Sequence, residues 1–339
     1  MSAHRSRPAA MWPGSSRITL ALLAVMPALM AYPWWFTRSY WLLGIVALVV
    51  VVLFGWWRGL YLTTILRRRL AMMWRRGRPV SASGSATRTT VLLRLGPPVG
   101  GSDVIPLPLI TRYLNCYGIR ADSIRITSRN NESDGALCET WIGLTVSAAK
   151  NLAALQARSS RIPLQETAQV AARRLADHLR EIGWEVSLAV PDGIPRLITA
   201  AGDETWRGMQ QGSDYLTAYR VNVDDELPGT LDAVRLYPAR ETWTALEIAC
   251  PDSSSNRNTI AAACAFLTDT APQGAAPLAG LTPQHGNHRP ALAVLDLFSA
   301  QRLDGHTDTD ADLLTRLRWP APAAGVSSCT ATRSPAVSA

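Results

Sequence analysis

The chain has 339 residues, 47% of them apolar, and a formal charge of +8 from 34 basic against 26 acidic side chains. That excess sits at the front. Residues 1–102 hold 13 arginines and no acid, so residues 103–339 carry 21 basic against 26 acidic groups, or −5. A mildly acidic main body offers no electrostatic case for nucleic acid, and five scattered cysteines without a C-x-x-C give no support for a disulfide framework or a zinc site.

Residues 1–17 form a short basic extension. Behind it lie two uncharged apolar stretches, Ile18–Thr37 and Ser39–Trp57, of 20 and 19 residues. At about 1.5 Å rise per residue each is long enough to cross a hydrocarbon core of roughly 30 Å. A helix is the expected form, because lipid offers no partners for backbone N–H and C=O groups. The connecting turn, Pro33 to Tyr40-Trp41, packs Trp34, Trp35 and Trp41 around the single charge of Arg38, and Trp56-Trp57 close the second stretch. Such aromatics mark bilayer interfaces. Pro27 and Gly44 are candidate contact points with partner helices. Arg5, Arg7 and Arg17 precede the pair, and Arg58, Arg67, Arg68, Arg69, Arg75, Arg76 and Arg78 follow it. The positive-inside rule then puts both termini in the cytoplasm. A cleaved signal peptide fits less well, since bulky Tyr32–Phe36 replaces a small-residue cleavage site and a second span follows at once.

Residues 58–87 read as a basic juxtamembrane helix and a linker. Leu62, Leu66, Leu70 and Met73 recur at helical spacing while Arg67–Arg69 supply charge, a pattern that suits anionic headgroups or a neighbouring helix. Pro79–Ala86 is rich in Ser, Gly and Pro, as a linker is.

Residues 88–305 form the body. Strands are expected at Thr89–Leu95, Ile119–Thr127, Glu139–Ser147, Glu185–Val190, Ala218–Val223, Thr242–Cys250 and Thr259–Leu267. Helices are expected within Leu107–Tyr117, over Gln165–Ile182 and near Thr230–Leu236. On the long helix Val170, Leu175, His178, Leu179 and Ile182 share one predicted face. The mixture indicates an α/β or α+β domain, membrane-anchored as a whole. Glu-Thr-Trp occurs at 139–141, 204–206 and 241–243, which hints at a duplicated β unit. Residues 306–339, with Asp308, Asp310 and Asp312 and then Pro, Ala, Ser and Thr, read as a disordered tail.

No pattern carries a reaction. There is no G-x-x-x-x-G-K-[ST], G-x-G-x-x-G or G-x-S-x-G. His285 and His288 stand three apart, but Pro283, Gly286 and Pro290 argue against a regular helix to present them to a metal. Asp177-His178 invites an acid–base reading, but His178 falls on the apolar face of the predicted helix, where a hydrogen-bonded core histidine is the usual outcome. Val223-Asp224-Asp225 is a strand-end turn on the simplest reading; the rival is a membrane-tethered enzyme such as a nucleotide-sugar transferase using those carboxylates. No catalytic residue, cofactor or metal is assigned.

Several strings are similar to EccE, the membrane component of actinobacterial type VII (ESX) secretion systems. They are Asn151–Thr167 running into Arg174–Trp184, Glu204–Gly208, Ala218–Asp225, Glu241–Glu247, Pro277–Pro283, His288–Ala293 and Gln301–Gly305. The resemblance covers about Arg17–Gly305 and is greatest to the branch of the third ESX system, which in mycobacteria is tied to iron and zinc homeostasis. It implies a non-enzymatic inner-membrane subunit assembled with EccB, the EccC ATPase and EccD, beside EccD at the periphery. It carries over no catalytic residues.

Overall fold

A computed structural model describes residues 56–57, 60–75, 87–99, 104–131, 137–157, 163–190, 194–198, 202–250, 257–308 and 311–322. The chain divides into two compact units, Met1–Arg76 and Gly77–Ala339, which places the division just ahead of the expected linker. The expected spans fall almost wholly outside the described residues, and with them Pro27, Trp34, Trp35, Trp41 and Gly44. Among the described residues no helix is long and apolar enough to cross a membrane.

In the first unit only the last two residues of the second apolar stretch, Trp56 and Trp57, are described, and they are extended. β1 (Trp56–Trp57) pairs antiparallel with β2 (Leu60–Tyr61), matching Trp56 to Tyr61 and Trp57 to Leu60. Aromatic residues favour a paired, extended backbone, and at Trp56-Trp57 the chain is a strand, not the end of a helix. α1 (Leu62–Arg75) follows, as the spacing predicts.

The second unit is built on one large antiparallel sheet. Its first half runs β3 (Arg88–Pro98), α2 (Leu107–Arg112), β4 (Asn115–Cys116), β5 (Ile119–Asn131), β6 (Leu137–Ser147), α3 (Ala148–Gln156), α4 (Leu164–Glu181) and β7 (Trp184–Leu188). Its strand order, β7-β3-β6-β5, is that of a split βαβ or ferredoxin-like unit. The second half runs β8 (Asp203–Glu204), β9 (Met209–Gln211), β10 (Asp214–Val221), α5 (Leu227–Arg235), β11 (Glu241–Ala249), β12 (Thr259–Thr268), β13 (Leu281–Pro283) and α6 (His288–Leu295). Here β11-β12-β10-β13 repeats the same order outward from the centre, without a helix between β12 and β13. The halves join where β5 pairs with β11, from Asn131 opposite Glu241 to Ser123 opposite Ala249.

A duplication is therefore present, but Glu-Thr-Trp does not mark it. Glu139–Trp141 lies on the third strand of the first half and Glu241–Trp243 on the second strand of the other. The copies flank β5, and Trp141 and Trp243 stack with centroids 6.1 Å apart and planes 9° apart.

α2, α4 and α5 pack on one sheet face. Ala168, Ala172, Leu175, Ala176 and Leu179 form the buried stripe of α4 against Leu93, Ile124 and Ile142. Small alanines let the helix sit close to the sheet, and Val170 and Ile182, expected on this stripe, are instead exposed. The other face holds Leu92, Trp141, Leu216 and Trp243 under α6 and the segment through Leu297 and Leu303. The strand expected to stop at Gly96-Pro97-Pro98 continues through it, because β3 there needs only β7, with a register shift between Leu95 and Pro98. The helix expected through Tyr117 stops at Arg112. Tyr117-Gly118, both at positive φ (55° and 71°), instead make the two-residue turn between β4 and β5.

The tail also departs from expectation. β14 (Thr307–Asp308) pairs with β12, and α7 (Ala311–Arg316) leads into Trp319, which has no exposed surface. Its indole Nε1 donates to Ser128 Oγ (2.8 Å), its carbonyl accepts from Ile105 N–H (2.8 Å), and Arg235 lies over the ring at 4.8 Å. Residues 311–322 are thus held by three leucines and one tryptophan, too sparse an apolar pattern to stand out in a Pro/Ala-rich segment.

Removal of the Trp319 ring leaves a large cavity. Trp319→Ala is expected to cost about 3–5 kcal/mol, read as a lowered urea midpoint of the full chain in detergent. An unchanged midpoint would mean the tail does not pack.

Candidate membrane and partner surface

The predicted site residues that are described lie on or beside α1. Arg67 and Arg69 are exposed and Arg68 is half-buried. Between the two exposed arginines runs an apolar strip, Leu66, Leu70, Met73 and Trp74, spaced as i, i+4, i+7 and i+8, with Trp74 79% exposed. A basic helix with an open apolar face fits the polar–apolar boundary of a membrane or the groove of a partner helix.

In the second unit the buried charges are spent inward. Glu247 on β11 has no exposure and faces Arg125 on β5, whose Nε and Nη2 both bond its Oε2 at 2.8 and 2.5 Å. Arg125 also donates to the carbonyls of Val294 and Gln301. His306 bridges Glu247 Oε1 (3.2 Å) and Thr259 Oγ1 (3.1 Å). Burial alone would push the Glu247 carboxyl up, but the Arg125 charge, with hydrogen bonds from His306 and Arg125, holds it below its ordinary value.

Asp122, likewise without exposure, is the extra residue of a β-bulge, since Ala121 pairs with Val146 and Ser123 with Thr145. Lys150 Nζ (2.8 Å), Arg302 Nη2 (2.9 Å) and Arg88 Nε (3.4 Å) surround its carboxylate. Burial raises this group too, but the Lys150 hydrogen bond and the charges of Arg302, Lys150 and Arg88 leave it lowered. On the tryptophan face Arg129 reaches both Glu241 (2.6 Å) and Glu139 (3.4 Å).

The residues weighed for catalysis do not converge. Asp177 pairs with Arg180 at 2.6 Å, while His178, half-buried, meets Tyr113 Oη through Nδ1 at 3.1 Å. Asp224 Oδ1 accepts from Glu226 N–H, and exposed Asp225 pairs with Arg316. His285 stacks on Trp206. His288 opens α6, contrary to the expectation that Pro290 would forbid a helix, since proline in a first turn loses no hydrogen bond. Its buried Nδ1 accepts from Ala218 N–H at 3.2 Å. Among the described residues no group of three His, Cys, Asp or Glu is placed to hold a metal, and Cys116, Cys138, Cys250 and Cys264 are free thiols.

Some of the quoted strings help to fasten this arrangement. Asn151 holds α3 to β5 by accepting from Arg120 N–H and donating to the Arg120 and Ser147 carbonyls. Gln301–Gly305 supplies Arg302 and the Gln301 carbonyl. Gly305, at φ 86°, has no room for a Cβ, which would fall 2.5 Å from Arg220 Cδ.

The family described as "Putative type VII ESX secretion system translocon, EccE" matches residues 135–221, from β6 into β10. The ESX-3 secretion system protein EccE3 of Mycobacterium tuberculosis H37Rv is 62% identical over 319 residues, 94% of this chain and 96% of that protein. Its namesake in Mycolicibacterium smegmatis is 46% identical over 292 residues, 86% of this chain and 90% of that protein. This chain belongs to the EccE family. It is a component of a type VII (ESX) secretion system, and within EccE it groups with the ESX-3 members.

The missed residues had a signal. Ile124-Arg125-Ile126 and Leu246-Glu247-Ile248 each set a lone charge between branched or apolar residues inside a predicted strand, and the two charges are opposite. A buried cross-strand pair is the cheapest way to accommodate both.

Breaking one side of such a pair strands a buried charge. Glu247→Gln or Arg125→Met is expected to cost about 3–5 kcal/mol, and the double replacement less than the sum. Because both carboxyls are lowered in the fold, their stabilisation is full above the unfolded pKa near 4 and is lost as pH falls through the folded value. Thermal midpoints taken from pH 7 to pH 3 therefore drop less steeply for Asp122→Asn and Glu247→Gln than for the parent chain.

Proposed function

We propose that this EccE chain is a non-enzymatic scaffold subunit of an ESX complex in the inner (plasma) membrane. Residues 18–57 cross the bilayer twice and leave both termini cytoplasmic. α1 settles at the inner boundary, and the α/β unit buttresses the cytosolic side of the assembly. The system is the one linked to iron and zinc homeostasis. The direct partner is EccD, with EccB and the EccC ATPase in the same complex, and lipid is the other contact.

The observation that carries this reading is the order of surfaces along the chain. Two uncharged stretches of membrane-spanning length are followed at once by α1, whose open face is Leu66, Leu70, Met73 and Trp74 between exposed arginines. The non-enzymatic part is supported by the buried carboxylates, since Asp122 and Glu247 each face cations of their own chain. The names of the relatives support the choice of system.

Deletion of residues 1–60 is expected to release the remaining chain from detergent-extracted complex, so that affinity purification of EccD no longer recovers it. Undiminished recovery with EccD would contradict the anchoring role.

A further inference from the structure

The β4–β5 hairpin holds a bulky residue at a position that disfavours one. Tyr117 and Gly118 are both at positive φ, as a two-residue hairpin turn of this kind requires, and Asn-Gly is the pair that meets the requirement without strain. A tyrosine there works against its own Cβ. Core packing does not explain it, since Tyr117 is 63% exposed. Its ring instead meets the guanidinium of Arg174, 4.2 Å from the centroid. Both residues border an apolar cleft between the hairpin and α4. Cys116 and Tyr117 line the hairpin side, Val170 and Arg174 the helix side, and Leu144 and Val146 of β6 the floor, around an empty volume of ≈ 440 Å³ counted out to the mouth. The helix wall is fixed in place, because Tyr113 Oη lies 3.2 Å from the Arg174 carbonyl and 3.1 Å from His178 Nδ1. Among the lining residues Arg174 alone is charged, and among the described residues its guanidinium has no protein acceptor. Glu166 and Asp177 of the same helix do not line the cleft, and Asp177 pairs with Arg180.

We propose that this cleft is a docking site for another protein subunit, which sets an apolar side chain against Val170 and the Tyr117 ring and a carboxylate on Arg174. Val170, left 45% exposed, gives the helix wall an apolar surface with no core role. Tyrosine and arginine around a small apolar recess are the residues that dominate protein interfaces. A planar guanidinium with open donors selects a carboxylate, which it takes with two parallel hydrogen bonds while the aromatic ring covers one of its faces. Backbone strain kept at an exposed residue points to use rather than to folding. The inference rests on the scaffold reading only for where the partner is sought, among the other subunits of the secretion complex.

Cys116 is a half-buried free thiol inside the cleft and reports on its occupancy, while Cys138 and Cys250, half-buried elsewhere, serve as references. Detergent-extracted complex and the full chain purified alone are treated with a small maleimide, and labelling rates are read by peptide mass spectrometry. Relative to the references, Cys116 is expected to label severalfold more slowly in the complex, and Val170→Asp or Arg174→Glu to restore the rate. Equal rates overturn the proposal. Protection of the isolated chain that grows with its concentration, or with added phosphatidylglycerol, also overturns it and assigns the cleft to a second copy or to lipid. Tyr117→Asn supplies an independent measurement. With the turn relieved of strain, the thermal midpoint of the isolated chain is expected to hold or rise while protection in the complex is lost. A lowered midpoint means that Tyr117 serves the fold, and overturns the proposal. Should the chain be recovered with no other subunit, the scaffold reading fails instead. The cleft is then decided by that midpoint, upheld if it holds or rises and rejected if it falls.

Discussion

The Arg125–Glu247 pair is the constraint on which the rest of the second unit depends. It bridges β5 and β11, the only strands through which the two halves of the sheet pair with each other along the described ladder. Both side chains are almost wholly buried, so each charge needs the other. The guanidinium has donors left over, and these fix the carbonyls of Val294 and Gln301. The same contact therefore joins half to half and straps the segment after α6 across the tryptophan face. Once Gln301 is held, Arg302 is delivered to Asp122 and His306 to Glu247.

This arrangement agrees with the proposed role of a subunit that works by holding position. The buried Arg125, Glu247 and Asp122 serve neighbours within the chain, and some of the quoted strings contribute fastenings: Asn151 under α3, Gly305 against Arg220, and Gln301-Arg302 over the sheet. Among the described residues the apolar strip of α1 is left open for outside contacts.

Much of the fold was legible in the sequence. The seven main strands and α4 are where alternation and helical spacing put them, within a few residues. Strand order was not legible, because antiparallel strands of similar composition do not name their neighbours. The buried charges were readable in part, as lone Arg125 and Glu247 within apolar strands. Asp122 was not, since its role depends on a bulge and on Arg302 arriving from 180 residues away. The packed tail was missed because Leu313, Leu314, Leu317 and Trp319 are few among polar residues, and their burial depends on Ile105 and Ser128, far off in sequence.

If the two halves are welded as one block, they should open together. Native-state hydrogen exchange on the full chain, read peptide by peptide over β3, β5 and β6 and over β10, β11 and β12, measures this directly. Slowest-exchanging amides in both halves are expected to share one opening free energy, within about 1 kcal/mol, and to lose it together in Glu247→Gln. Opening of one half well below the other, with the Arg125–Glu247 pair intact, would contradict the account.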